Sequence, residues 1–261
     1  MKYLLSKASS AILQRLARQR TLCAFDFDGT LSSIVDRPDL AGLRTRTECL
    51  LQELAALYPC IVVSGRARAD VLAKLRGISL ARVIGNHGAE SGVTRRSLAH
   101  IEQWKEILAA ELAPLEDVWI EDKGFSLAVH YRQSPNKPQS RRLILKAAEK
   151  LHHVRVVGGK LVVNLVEDHA PHKGDAVADE RLRLGCNWVL YAGDDDNDED
   201  AFALDGNVVS VRIGKNRHTR AQYYLRTQAE IDALLEKLVL LRASHSRCTA
   251  APKTRKAHAA S

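Results

Sequence analysis

Short apolar runs at 22–27, 60–63, 82–84, 188–192 and 208–211 alternate with segments of helical period at 45–58, 67–75, 173–184 and 229–241. Apolar runs of this length read as strands buried on both faces. Helices between such strands require a parallel sheet covered on each side. The chain is therefore expected to be α/β, with a parallel-sheet Rossmann-like core whose ligand site lies outside the carboxyl ends of the strands. The rhythm fails between about 96 and 168. A helix (98–113) there precedes two strands (118–123 and 126–132), then a second helix (138–152) and two more strands (154–157 and 161–166) around a Gly158-Gly159 hairpin signal. This is an inserted α+β cap domain of order α-β-β-α-β-β, placed after the third core strand where it can close over the sheet edge. The expected organisation is a basic N-terminal helix (1–20), a core (21–95 and 169–241), the cap (96–168) and a basic disordered tail (242–261).

The charge distribution bears on what the core can bind. The formal net charge is +8, from 39 Lys and Arg against 31 Asp and Glu. Residues 1–20 and 242–261 each carry five bases and no acid, which leaves 29 bases against 31 acids in 21–241. A slightly acidic body with basic arms and only 13 aromatics does not describe a nucleic-acid surface. In the first arm Leu5, Ala8, Ile12 and Leu16 keep a helical period, as in a surface helix packed on the body. An acid-free start is also a transit-peptide trait, but here the core begins immediately afterwards. The tail, with Pro252 and no apolar period, is expected to be solvated. No apolar run approaches the ~18 residues of a membrane-spanning helix, which argues against an integral membrane protein. The five cysteines are widely spaced without a C-x-x-C pair, so neither a disulfide scaffold nor a zinc ribbon is expected, and the location expected is cytoplasmic.

The chemistry is concentrated at the strand ends. The first core strand runs into Asp26-Phe27-Asp28-Gly29-Thr30. Side chains at i and i+2 of a strand project to the same side, so Asp26 and Asp28 emerge together. Two carboxylates so close call for a cation, and they suit one nucleophile and one proton shuttle. After the run ending Tyr191-Ala192 comes Gly193 and then 194–200, six carboxylates in seven positions. Hard oxygen ligands of this kind fit Mg²⁺ better than zinc, and the spacing does not match an EF-hand calcium loop. Asp194, Asp195 and Asp198 are the candidates, since Glu199 and Asp200 also serve a helix start. Ser64-Gly65-Arg66 and Lys173-Gly174 each open a helix, where a phosphate can be held. Asn86-His87-Gly88 follows the third strand. In the cap, Glu121 and Lys123 share one strand face, as do His130 and Arg132 on the next.

Together these motifs resemble the haloacid dehalogenase superfamily of phosphatases, and more closely the trehalose-6-phosphate phosphatases. The resemblance rests on 26–31 (DFDGTL), 64–66 (SGR), 85–88 (GNHG) with Glu90, Glu121 to Lys123, His130 to Arg132, Lys173-Gly174 and 193–202 (GDDDNDEDAF), and spans about 20–241. It implies a core of that type with its cap, and a Mg²⁺-dependent phosphatase acting on a small-molecule sugar phosphate, with neither nucleic acid nor membrane as partner. By resemblance, Asp26 is the nucleophile that becomes an aspartyl phosphate, and Asp28 is the general acid and base. Mg²⁺ is held by Asp26, the Asp28 carbonyl and Asp194. Ser64 and Lys173 clamp phosphate, while Asp195 and Asp198 orient the metal shell and Lys173. Arg66, His87, Glu121, Lys123, His130, Arg132 and Asn164 face the substrate. Two departures from the family pattern are Asn164, where a sugar-binding Glu is usual, and Asn197, where Thr is usual. The alternatives are a phosphatase of another phosphorylated disaccharide or glucoside and, less favoured, a catalytically silent sugar-phosphate-binding regulator.

Overall fold

The computed structural model describes residues 1–35, 37–91, 95–159 and 161–250. In chain order the elements are β1 (Lys2–Tyr3), α1 (Ser10–Arg18), β2 (Thr21–Phe25), α2 (Thr45–Leu57), β3 (Cys60–Val63), α3 (Arg68–Lys74) and β4 (Arg82–Ile84). There follow α4 (Arg95–Leu112), β5 (Trp119–Asp122), β6 (Leu127–His130), α5 (Lys137–Ala148), β7 (Val154–Gly159) and β8 (Val162–Glu167). The chain then forms α6 (Lys173–Arg183), β9 (Trp188–Gly193), α7 (Glu199–Phe202), β10 (Val208–Ile213), β11 (Tyr223–Leu225) and α8 (Glu230–Ala250).

Seven strands form a parallel sheet in the order β1-β11-β10-β9-β2-β3-β4. Strand β2 shows why its sequence has no polar alternation. Cys23 and Phe25 pack into the layer with α1, α2 and α8, whereas Leu22 and Ala24 pack against α6 and α7. From β2 the chain builds outward through β3 and β4, and after the insert it returns to the other side of β2 as β9. The crevice opened by such a reversal is where ligands bind in open parallel sheets, and here it falls between the ends of β2 and β9. The second sheet is antiparallel, in the order β5-β6-β8-β7. Leu127, Val129, Val163 and Leu165 face α4 and α5, and the alternate residues on these strands face the other way.

The observed elements differ from expectation at the edges. Strands β1 and β11 were not anticipated: at two and three residues they are too short to carry a periodic signal. Gly158 and Gly159 do not form the turn; they pair with Val163 and Val162, and among the described residues of this hairpin the left-handed one is Leu161, at φ 63°. The tail is a correction as well. Helix α8 continues through 242 to Ala250, where disorder was expected from 242. Arg242 explains the extension in part, since its guanidinium donates to the carbonyls of Ala17 and Gln19, both at 3.0 Å, and lies over the Tyr58 ring. Residues 251–261 of the expected tail lie outside the described residues. Among the described residues no helix is long and apolar enough to cross a membrane.

Candidate active site

The floor of the site is the seam between β2 and β9. Asp26 donates its amide to the carbonyl of Ala192 (2.9 Å), fixing the first residue beyond β2 against the neighbouring strand. Its Oδ1 accepts a hydrogen bond from Lys173 Nζ at 2.7 Å. Lys173 is the first residue of α6, a start fixed by a reciprocal cap in which His172 accepts from the Asp175 amide and Asp175 accepts from the His172 amide. Lys173 also donates to Asp198 Oδ1 at 2.7 Å, and the three side chains are almost wholly buried. Burial disfavours the lysine's charge, but Asp198 and Asp26 outweigh it and raise its pKa. Burial pushes the Asp26 carboxyl well above the usual range; Lys173 pulls it back, and Asp198 and Asp194 push it up again.

That excess of negative charge is what a cation relieves. Carboxylate oxygens of Asp26, Asp194 and Asp198 lie within 4.8 Å of one another. Gly29, at φ 83°, lets the loop after Asp28 pass against the Asp194 carboxylate, where a Cβ would collide with it. Asp198 is the least available of the three as a ligand. Its Oδ1 accepts from Lys173 and from the Tyr191 hydroxyl (2.6 Å), and its Oδ2 accepts from the amides of Asp194 (2.9 Å) and Asp195 (3.0 Å). The donor set therefore fits a hard divalent ion touching Asp26 and Asp194, with Asp198 holding the frame. The part of holding Lys173, expected of Asp195 and Asp198 together, falls to Asp198. The Asp195 carboxylate instead accepts from the Asp196 amide at 2.9 Å and caps the following helical turn.

Asp28 is turned toward β3. Its two oxygens accept from Arg66, Oδ2 from Nε at 2.6 Å and Oδ1 from Nη2 at 2.8 Å, and Arg66 Nη1 donates to Asp70 at 2.7 Å. Burial opposes the Arg66 charge, but the bonds to Asp28 and Asp70 outweigh it. Ser64 is fully buried behind this wall, its hydroxyl accepting from the Arg66 amide at 3.1 Å, and its neighbour Gly65 lines the cavity. Gly65 is required there because a Cβ would enter the ring of His87. Burial, followed by Lys173 and Lys123, depresses the His87 pKa far below its ordinary value, so the imidazole is neutral.

The roof is the open face of the second sheet. Lys123 donates to the carbonyl of Gly65 at 3.0 Å and approaches Asn164 Oδ1 at 3.4 Å, joining roof to floor. Burial lowers its pKa, and Glu121 works against that shift. Ser126 bonds the Asn86 side chain at 2.9 Å across the same junction. His130 Nε2 and Glu121 Oε2 share a hydrogen bond of 2.8 Å, which depresses the Glu121 pKa despite partial burial.

The cavity between floor and roof is about 270 Å³. Asp26, Asp28, Arg66, His87, Glu121, Lys123, His130, Arg132, Asn164, Lys173, Asp194 and Asp195 all line it, so residues from both sheets meet at one place. Of the expected site residues, Ser64 and Asp198 stand behind the wall. Sequence reasoning missed Asp70 and Tyr191. Asp70 stands four residues after Arg66, a helical pairing distance. Tyr191 was visible as one hydroxyl within an otherwise apolar buried run. Ile34, Val35 and Val162 also line the cavity and carried no signal, and Gly159, read only as a turn, lines it too.

A parallel sheet with its ligand crevice roofed by an inserted antiparallel sheet is a fold shared with a solved structure from the haloalkanoate (HAD) enzyme superfamily. A phosphatase of that superfamily from Bacteroides thetaiotaomicron superposes with TM-score 0.61 at 14% identity, covering 85% of this chain and 96% of its own. Residues 24–228 match the trehalose-phosphatase family model, and the chain belongs to that family. A trehalose-phosphate phosphatase of Mycobacterium tuberculosis is 32% identical over 244 residues, covering 82% of this chain and 60% of its own. The chain thus spans about three-fifths of the length of such relatives. The C-terminal domain of the Candida albicans trehalose-6-phosphate phosphatase superposes with TM-score 0.74 at 21% identity, over 89% of this chain and 96% of that one.

Proposed function

We propose that the chain is a Mg²⁺-dependent phosphatase that hydrolyses trehalose 6-phosphate to trehalose and phosphate through an aspartyl phosphate on Asp26. The observation that carries this reading is the buried Asp26–Lys173–Asp198 triad, opening into a cavity whose opposite wall holds Glu121, Lys123 and His130. Phosphate monoesters hydrolyse so slowly unaided that positioning and charge neutralisation must supply most of the rate. Lys173 anchors the nucleophile by one oxygen and offers positive charge to the entering phosphoryl group. Asp26 attacks phosphorus, the bond to the sugar oxygen breaks, and Asp28 gives that oxygen a proton. Asp28 then takes a proton from water as the water attacks the aspartyl phosphate, freeing inorganic phosphate and restoring Asp26. For either transfer the Arg66–Asp28 pair has to open, so Arg66 is available to the substrate at that moment. Asp26 and Asp194 would hold Mg²⁺, which would supply the charge neutralisation a carboxylate needs to approach a phosphate dianion. Free thiols at Cys23, Cys49, Cys60 and Cys186 support a reducing, cytoplasmic setting.

Asn164 favours a second reading. It is buried on the cavity wall with an amide where a carboxylate is usual in the family, which suits another phosphorylated disaccharide or glucoside. One panel decides between the readings. Phosphate release with Mg²⁺ is compared for trehalose 6-phosphate, glucose 6-phosphate, sucrose 6-phosphate and a glucosylglycerol phosphate. Trehalose 6-phosphate should give the highest kcat/KM, and excess chelator should abolish turnover. A better rival sugar overturns the substrate, and full activity in chelator overturns the metal.

A further inference from the structure

We propose that Trp119 is a specificity-determining residue, a stacking platform for the second ring of a disaccharide phosphate. The inference rests on the sugar-phosphate reading above. Three tryptophans occur in the chain, and they are treated differently. Trp104 is buried between the cap helices and sheet, with Nε1 donating to the His152 carbonyl at 3.0 Å. Trp188 is half-buried under the Arg15 guanidinium. Trp119 leaves 49% of its surface to solvent and belongs to none of the apolar clusters. Its ring is nevertheless fixed. It lies parallel to His130, with centroids 4.0 Å apart and planes 11° from one another, and His130 is held by Glu121.

An indole placed only to fill the cap would turn inward as Trp104 does. Alternation instead puts Trp119 on the same face of β5 as Glu121, and its strand partner is His130, which lines the cavity. The row Lys123, Glu121, Trp119 starts at the Gly65 carbonyl, beside the phosphate end. Each two-residue step along a strand covers about 6.7 Å, so Trp119 stands about 6.7 Å beyond Glu121 along β5, farther from the Gly65 end. A substrate anchored by its phosphate at Lys173 lays its first ring against Lys123 and Glu121, and its second reaches Trp119. Gluco-configured rings carry their hydroxyls around the rim and present C–H bonds on their faces, a surface that a rigid aromatic plane can cover with little loss of entropy.

The test compares Trp119→Ala and Trp119→Phe with the wild type on trehalose 6-phosphate and glucose 6-phosphate, alongside fluorescence titration with trehalose. Trp119→Ala should lower kcat/KM for the disaccharide phosphate at least ten-fold and for the single-ring substrate less than two-fold. Trp119→Phe, which keeps an aromatic plane and guards against a folding artefact, should recover the disaccharide to within three-fold of wild type. Trehalose should change wild-type tryptophan emission saturably and leave that of Trp119→Phe unchanged. Equal losses on both substrates, or an undiminished disaccharide rate in Trp119→Ala, overturn the platform. If the wild type hydrolyses sucrose 6-phosphate but not trehalose 6-phosphate, the trehalose reading fails instead, and the same comparison on sucrose 6-phosphate decides the role of Trp119.

Discussion

All five residues of β2 are buried, and none of the four in β5 is. The first strand belongs to a sheet covered on both faces, so whatever it presents must emerge at its end, as Asp26 does. The second belongs to a sheet covered on one face, so it presents side chains along its length: Trp119 and Glu121, with Lys123 just beyond. The bonding follows the same division. In the core, Lys173 and Asp198 are buried and held by bonds of 2.6 to 3.0 Å. In the cap, Glu121 is 40% exposed at its side chain and Lys123 meets Asn164 only at 3.4 Å. On the proposed function, the difference separates chemistry, which needs charges held rigid and desolvated, from recognition, which needs groups able to exchange water for sugar hydroxyls.

Substitutions in the two regions should therefore fail differently. Asp26→Asn removes the attacking oxygen's charge and should lower kcat/KM by more than about 1,000-fold, or over ~4 kcal/mol, on every substrate alike. A loss confined to the sugar phosphates, with a nitrophenyl phosphate still turned over, would break the division. Lys173→Met leaves two buried carboxylates without their shared cation, at a cost of about 3–5 kcal/mol in folding stability read by denaturant unfolding. Glu121→Ala should cost roughly 2–4 kcal/mol in kcat/KM for the preferred sugar phosphate and little for a nitrophenyl phosphate, which never reaches the cap. Equal losses on both substrates would place Glu121 with the core chemistry. The smallest effect is expected at the end of the chain. Deleting 251–261, beyond Arg242 and its contacts, should leave kcat within about two-fold, because terminal segments rarely hold active-site geometry.

Much of this plan was legible in the residues. Apolar runs without alternation announced the core strands, and their loss between 96 and 168 announced a second kind of sheet. Asp26 at a strand end and the acidic run after Ala192 indicated where carboxylates gather, and Asp26, Asp194 and Asp198 do meet there. Short edges and caps were less legible. The two residues of β1 join a sheet through backbone bonds to β11, which no side-chain period records. Helix α8 outlasts its apolar pattern, in part because Arg242 finds carbonyl partners near α1.

Sequence alone determined which residue types arrive at the carboxyl edge of the sheet, because burial on both faces leaves strand ends as the only outlet for polar groups. Tertiary structure decided how they pair. Lys173 stands 147 positions from Asp26 along the chain and 25 from Asp198, yet it bonds both at 2.7 Å. The Asp28 carboxylate is bound by Arg66, 38 positions away along the chain. Trp119 likewise became a platform only when β6 brought His130 beneath it. Local pattern fixes the face on which a side chain lies, whereas contacts between distant segments depend on strand order and on the packing of cap against core, and neither leaves a periodic trace in the chain.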